Sequence, residues 1–201
     1  MIEKIKTNIL LLSVGILLAL GAACSNESGN KRTANSEPIV KTEPAKPASD
    51  KGDMVVTGGD LAFMNDAAPG GLAEVELGKL ATNKAQNAEV KAFAQKMIED
   101  HSKAGEELKT LAAQKKVTLP TDVLPKHKEV MDKLSKLSGA DFDREYVKAM
   151  VEAHEKDVTA FNSVANGATD ADVKAFAAKT LPTLKMHLEM IKGMAGKMNG
   201  K

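Results

Sequence analysis

The chain has 201 residues, 28 of them Lys or Arg and 27 Asp or Glu, with 3% aromatic content and no Trp. A balance so near zero, with no basic block, gives no electrostatic case for binding nucleic acid. The single cysteine, Cys24, excludes an internal disulfide.

Met1 to Ala23 has the layout of a secretory signal. Lys4 and Lys6 supply a positive start, and Ile9 to Leu20 is an apolar run. Its length, about a dozen residues, falls short of the ~20 needed to span a bilayer. Leu20-Gly21-Ala22-Ala23-Cys24 resembles a bacterial lipobox, with Gly21 where leucine is usual. The resemblance implies cleavage before Cys24 and lipidation of its thiol. Ser25 follows the cysteine, not Asp. By resemblance to Gram-negative sorting, that implies the periplasmic side of the outer membrane. The expected partner is therefore the membrane, through a lipid anchor, and the sequence identifies no protein partner. Loss of Glu3, Lys4 and Lys6 with the signal leaves 26 basic and 26 acidic residues.

Residues 24–59 are rich in Ser, Asn, Lys, Glu, Pro and Gly, with Pro38, Pro44 and Pro47 among them. Such composition cannot bury a core, and it predicts a disordered tether. A flexible chain of this length reaches roughly 30–35 Å.

Residues 60–198 carry almost no strand signal and read as one all-α domain. Asp60 is a candidate N-cap for a helix to about Thr82, and Pro69-Gly70-Gly71 predicts a kink or break within it. A second helix spans about Ala88 to Lys115. Residues Thr121 to Gly139 form a crossover, with a short helix from His127 to Leu137. The third long helix covers Asp141 to Ala165. The fourth is capped by Asp170 or Thr169, runs to about Lys197, and should bend at Pro182. Four helices, with two tight turns and one long connection, make a four-helix bundle with an extra helix in its crossover. Ferritin-like folds share that connectivity.

Several segments resemble, in one order, the family known as domain of unknown function 4142. They include Phe63-Met64, Gly71-Leu72-Ala73-Glu74, Val90-Lys91-Ala92-Phe93-Ala94, Met97 to His101, Phe142-Asp143, Met150 to His154, and Leu181-Pro182 leading to His187. The resemblance implies an exported, ferritin-like helical domain with no established activity. It also marks Glu74, His101, Asp143, His154 and His187 as positions to watch.

Three helices carry a histidine within the apolar stripe. Val147, Met150, His154, Val158 and Phe161 recur at spacings of three and four, and His101 and His187 sit in similar stripes. Counting residues from the turns places Glu74 and His101 within roughly 5 Å in height, but separates His154 from His187 by roughly 9–10 Å. One four-ligand site remains open. So do two smaller clusters, Glu74 with His101 and His154, and Asp143 with His187. The residues three before the histidines are Ile98, Val151 and Leu184. None is acidic, so the Glu-x-x-His pairs of di-iron bundles are missing.

Met97 and Met150 each precede a stripe histidine by four, and Met186, Met190, Met194 and Met198 repeat beside His187. Thioether with imidazole suits Cu(I), whereas a methionine stripe is also ordinary core filling. Copper or zinc is the candidate ion, with Glu74, His101, His154 and His187 as ligands and Asp143, Met97 and Met150 as secondary ones. Against this stands a bundle whose histidines are merely buried and satisfied by Glu74, Asp143, Tyr146 or a carbonyl. His127 is expected at the surface. Gly-x-Ser-x-Gly, His-Glu-x-x-His and phosphate-cradling loops are all absent. A metal-dependent oxidoreductase is the third reading, behind an anchored envelope protein that binds metal and a purely structural or interaction bundle.

Overall fold

The computed structural model describes residue 56 and residues 58–200, so the signal, Cys24 and nearly all of the expected tether lie outside the described residues. Five helices follow in order: α1 (Gly58–Lys84), α2 (Ala88–Gln114), α3 (Pro125–Ser135), α4 (Gly139–Gly167) and α5 (Ala171–Asn199). The described residues contain no strand. The four long helices form an all-α bundle of two hairpins, α1 with α2 and α4 with α5, and α3 lies in the crossover against α1 and α4. Among the described residues, no helix is long and apolar enough to cross a membrane.

The caps explain where the helices start. Asn87 accepts from the Glu89 N–H at 2.8 Å to open α2. Asp170 accepts from the N–H groups of Asp172 and Val173 to open α5, as its position predicted. Asp60 behaves differently from the expectation. It lies inside α1, and its Oδ2 accepts from Thr169 N at 2.9 Å and Asp170 N at 2.7 Å, in the turn of the other hairpin. Asp143, early in α4, returns the arrangement. Its two oxygens accept from Gln86 N at 3.1 Å and Asn87 N at 2.8 Å, in the α1–α2 turn. Each hairpin thus holds the other's turn through one buried carboxylate. Asp60→Ala strands two backbone donors at once. It should lower the unfolding free energy by about 2 kcal/mol, since bonds to a charged acceptor contribute ~1.5–3 kcal/mol. Urea unfolding followed by circular dichroism measures it.

Two expectations about helix 1 need correction. Helical hydrogen bonding runs through Pro69, with no break at Pro69-Gly70-Gly71. Proline removes one internal bond, but Met64, Ala73, Leu77 and Ala81 on either side stay buried against the bundle, and that packing outweighs the loss. The folded part also begins before Asp60. α1 starts at Gly58, and Val56, 3% exposed, packs into the core. The polar average of residues 24–59 hid this one anchoring side chain. α5 likewise continues through Pro182 as one helix. At Gly78 α1 and α2 approach closely. A Cβ there would stand 2.9 Å from Ile98 and 3.0 Å from the Ala94 carbonyl oxygen.

The core comes in two halves. One holds Leu77, Phe93, Met97, Tyr146, Met150 and Ile191, among others. The other holds Phe63, Met64, Leu108, Phe161, Phe176 and Leu184. On every long helix one buried polar or imidazole side chain falls between the halves: Glu74, His101, His154 and His187.

Candidate metal centre

The stripe histidines all point inward. His154 and His187 are fully buried and His101 is 7% exposed. The three rings lie 5.4–5.6 Å apart between centroids. Each offers a ring nitrogen within 4.8 Å of the other two. Phe93 closes one side, with its ring 6.0 Å from His187 and 6.4 Å from His154.

Each ring is oriented by one partner. His101 donates through Nδ1 to Glu74 Oε2 at 2.9 Å. His187 donates through Nε2 to Asp100 Oδ2 at 2.8 Å. His154 donates through Nδ1 to the Met150 carbonyl at 3.0 Å, and the same nitrogen lies 3.4 Å from Glu74 Oε1. The other nitrogens, His101 Nε2, His154 Nε2 and His187 Nδ1, are buried and unpartnered. Buried polar atoms are rarely left so. Metal-binding imidazoles typically hold one nitrogen to a carboxylate or carbonyl and leave the other free as a ligand.

The charge states suit a metal cation. Burial pushes His101 down to about 4, and burial also lowers His154 and His187, so all three rings are neutral at pH 7. Glu74 moves up, chiefly through burial. Asp157 is pushed up to about 8 by burial, then by the Glu74 charge, and the two carboxyls share a hydrogen bond. Together they hold a proton at neutral pH. Asp100 feels burial too, but its bonds to Lys96 and His187 prevail and keep it below the usual carboxylate range.

One compact cluster therefore forms, not two. The α4–α5 turn explains the error in height. Residues 168–170 make the turn and add no rise, so His187 stands sixteen residues into α5 and His154 thirteen before the end of α4. The offset falls to about 4.5 Å. Asp143 is not part of the cluster, since its carboxylate is spent on the α1–α2 turn. Tyr146 is buried near Glu74, with its hydroxyl unpartnered and its pKa pushed up by burial. Met97 and Met150 are buried in one half-core. The methionines of α5 do not line the centre: Met186 and Met190 are among the most exposed apolar side chains, and Met194 is buried in that same half-core. A strict spacing of four advances about 40° per step around a helix, so the row winds from solvent toward the core.

Two carboxylates were missed. Asp157 follows His154 by three, the reverse of the Glu-x-x-His order. The spacing carried a signal nonetheless: Asp143 to Asp157 is fourteen residues, as is Asp60 to Glu74. Asp100 is adjacent in sequence to His101 but serves His187 on another helix. His127, expected at the surface, is half-buried and lines a groove of about 600 Å³ between α1, α3 and α4. Glu74 and Asp157 line that groove, and they also line a small cavity of about 50 Å³ beside His101.

A family model described as "Domain of unknown function (DUF4142)" matches residues 44–194. No curated protein matches the sequence. Among solved structures, a DUF305 fragment from Deinococcus radiodurans is similar at TM-score 0.62 and 14% identity, covering 71% of this chain and 98% of that one. CopM in its Cu(II)-bound form is similar at TM-score 0.60 and 19% identity, covering 69% and 96%. The protein rv2844 from Mycobacterium tuberculosis, a conserved hypothetical protein, is similar at 0.55 and 18%, covering 69% and 91%. At these identities the likeness carries the fold alone.

Proposed function

This chain belongs to the DUF4142 family, whose description assigns no activity, and from the chemistry of its buried centre we propose that it binds one transition-metal ion through His101, His154 and His187. One observation carries the reading. Each ring has one nitrogen fixed by an acceptor and the other buried without a partner. Three neutral imidazoles are a borderline donor set that suits Cu(II) or Zn(II). Met97 and Met150 are buried in one half-core, and Met186 and Met190 are exposed. Glu74 and Asp100 orient the ligands, and Glu74 is the nearest candidate for a fourth donor. CopM, of similar fold, was solved with copper bound, and this supports copper as the first ion to test. The bound ion would polarise or stabilise whatever fills an open coordination position, but the chain's own groups mainly bind and exclude water. The reading is therefore of a metal-binding protein of the cell envelope, carried on a lipid at Cys24 on the periplasmic side of the outer membrane.

The test is a titration of the full chain, its single cysteine alkylated, with Cu(II) and Zn(II), followed by calorimetry and elemental analysis. One equivalent binds, and His187→Ala weakens binding at least about a hundredfold, more than the 10–100-fold typical of an outer-sphere change. Ion held at a thousand times Kd adds about 4 kcal/mol of stability. No bound metal, with a large loss of stability in His187→Ala, would instead favour a purely structural cluster, and the bond Glu74 already shares with Asp157 is the observation on that side.

A further inference from the structure

We propose that the groove between α1, α3 and α4 is the port through which a divalent transition cation reaches the histidines, with Asp157 and Glu74 as its landing site. This rests on the metal-binding reading and adds a second, transient subsite to it.

The histidines need a port. His154 and His187 are fully buried, so an ion reaches them only past other side chains. The groove, about 600 Å³, has Asp157 and Glu74 in its wall. The same two carboxyls wall the small cavity where His101 sits, on the other side. They are thus common to both spaces. His101 is buried and its Nε2 is unpartnered. Glu74 already touches His101 at 2.9 Å through Oε2, so an ion released by the carboxyl pair is within one step of the triad. Glu74, Asp157 and His154 also offer ligand atoms within 4.8 Å of one another, enough to hold an ion in passing.

Charge and chemistry in the groove fit a cation. Asp66 and Glu152 add two further carboxyls to its wall, against the ammonium groups of Lys126 and Lys156. His127 supplies an imidazole there, and its buried Nδ1 is unpartnered. The cover is lightly held. Leu134, near the end of α3, is that helix's one buried residue, and the Leu124 N-cap has no side-chain bond. The start of α3, which carries Lys126 and His127 over the groove, buries no side chain of its own.

A landing site changes rates and leaves the end state alone. The test is stopped-flow mixing of the full chain, its cysteine alkylated, with Co(II), whose absorption reports coordination. Asp157→Asn and His127→Ala should each slow association and dissociation together by about tenfold, with Kd moving less than about threefold. His127 lies outside the core, so its variant remains informative should Asp157→Asn fail to fold, which circular dichroism reveals. Unchanged association rates in both variants overturn the proposal, as does a rate loss matched by an equal loss of affinity, which would make these residues ligands. A wild-type chain that takes up no Co(II), Cu(II) or Zn(II) overturns the metal-binding reading itself, a result distinct from normal binding at unaltered rates.

Discussion

Glu74→Ala lowers the unfolding free energy of the metal-free protein by about 3 kcal/mol, since it leaves two buried polar groups unsatisfied at ~1–3 kcal/mol each. The same change weakens metal binding by about 10–100-fold. Both effects come from one side chain at the centre of the bundle. Glu74 is 5% exposed, accepts from His101 at 2.9 Å, and shares a hydrogen bond with Asp157. Truncation leaves the His101 N–H without an acceptor and Asp157 without its partner. Glu74→Gln separates the two effects. Its amide oxygen still accepts from His101 and its NH2 can donate to Asp157, so stability falls by only about 1 kcal/mol, the scale of one altered bond. Affinity still drops, because an amide polarises the imidazole less than a carboxylate does. Denaturant unfolding and metal titration of the two variants side by side decide the matter. Equal affinity in Glu74→Gln and wild type would mean that the Glu74 charge does not tune the imidazole.

The stability of the metal-free protein should fall as pH rises from about 7 to 8. Asp157, pushed up to about 8, keeps its proton in the folded state while the unfolded chain has lost it. The folded state then binds more protons, and the slope of stability with pH is negative. Between pH 4 and 6.5 the histidines act the other way. His101, pushed down to about 4, stays neutral when folded while the unfolded chain takes up a proton, so stability rises with pH there. Three histidines outnumber the one carboxyl, so stability rises with pH in that lower range. Above about pH 7 the imidazoles are mostly neutral in both states and the carboxyl slope prevails. At 1.36 kcal/mol per unit the loss over the window is at most about 1 kcal/mol. Asp157→Asn removes the proton and should flatten the slope, and thermal melts at constant ionic strength across the range measure it. Bound metal reverses the trend, because a cation beside the pair takes the place of the proton and binds more tightly as pH rises.

Much of this was legible in the sequence because helices are periodic. A stripe at three and four residues fixes which side chains face inward, so all three histidines could be turned to the core by counting alone. Glu74 opposite His101 followed from their similar distances to one short turn. What failed depended on geometry the period does not encode. A turn residue adds length to the sequence but no height to the helix, and that misplaced His187 against His154. Asp100 lies off the stripe by one residue, and only the approach of α5 brings it to His187. Asp143 carried the right chemistry at the wrong end, where two backbone N–H groups claim it. At Pro69 the local rule was sound, but packing on either side overrode it. Val56 shows the limit of averages, since one apolar residue in a polar stretch was enough to seat the chain.

The polar layer between the two half-cores has a consequence for cooperativity. Without an ion, little apolar contact crosses the middle of the bundle, and each half can fray while its counterpart stays closed, as two foldons coupled mainly by their helix backbones. An ion gripped by α2, α4 and α5 at that level would act as a rivet, turning two weakly linked blocks into a single folding unit.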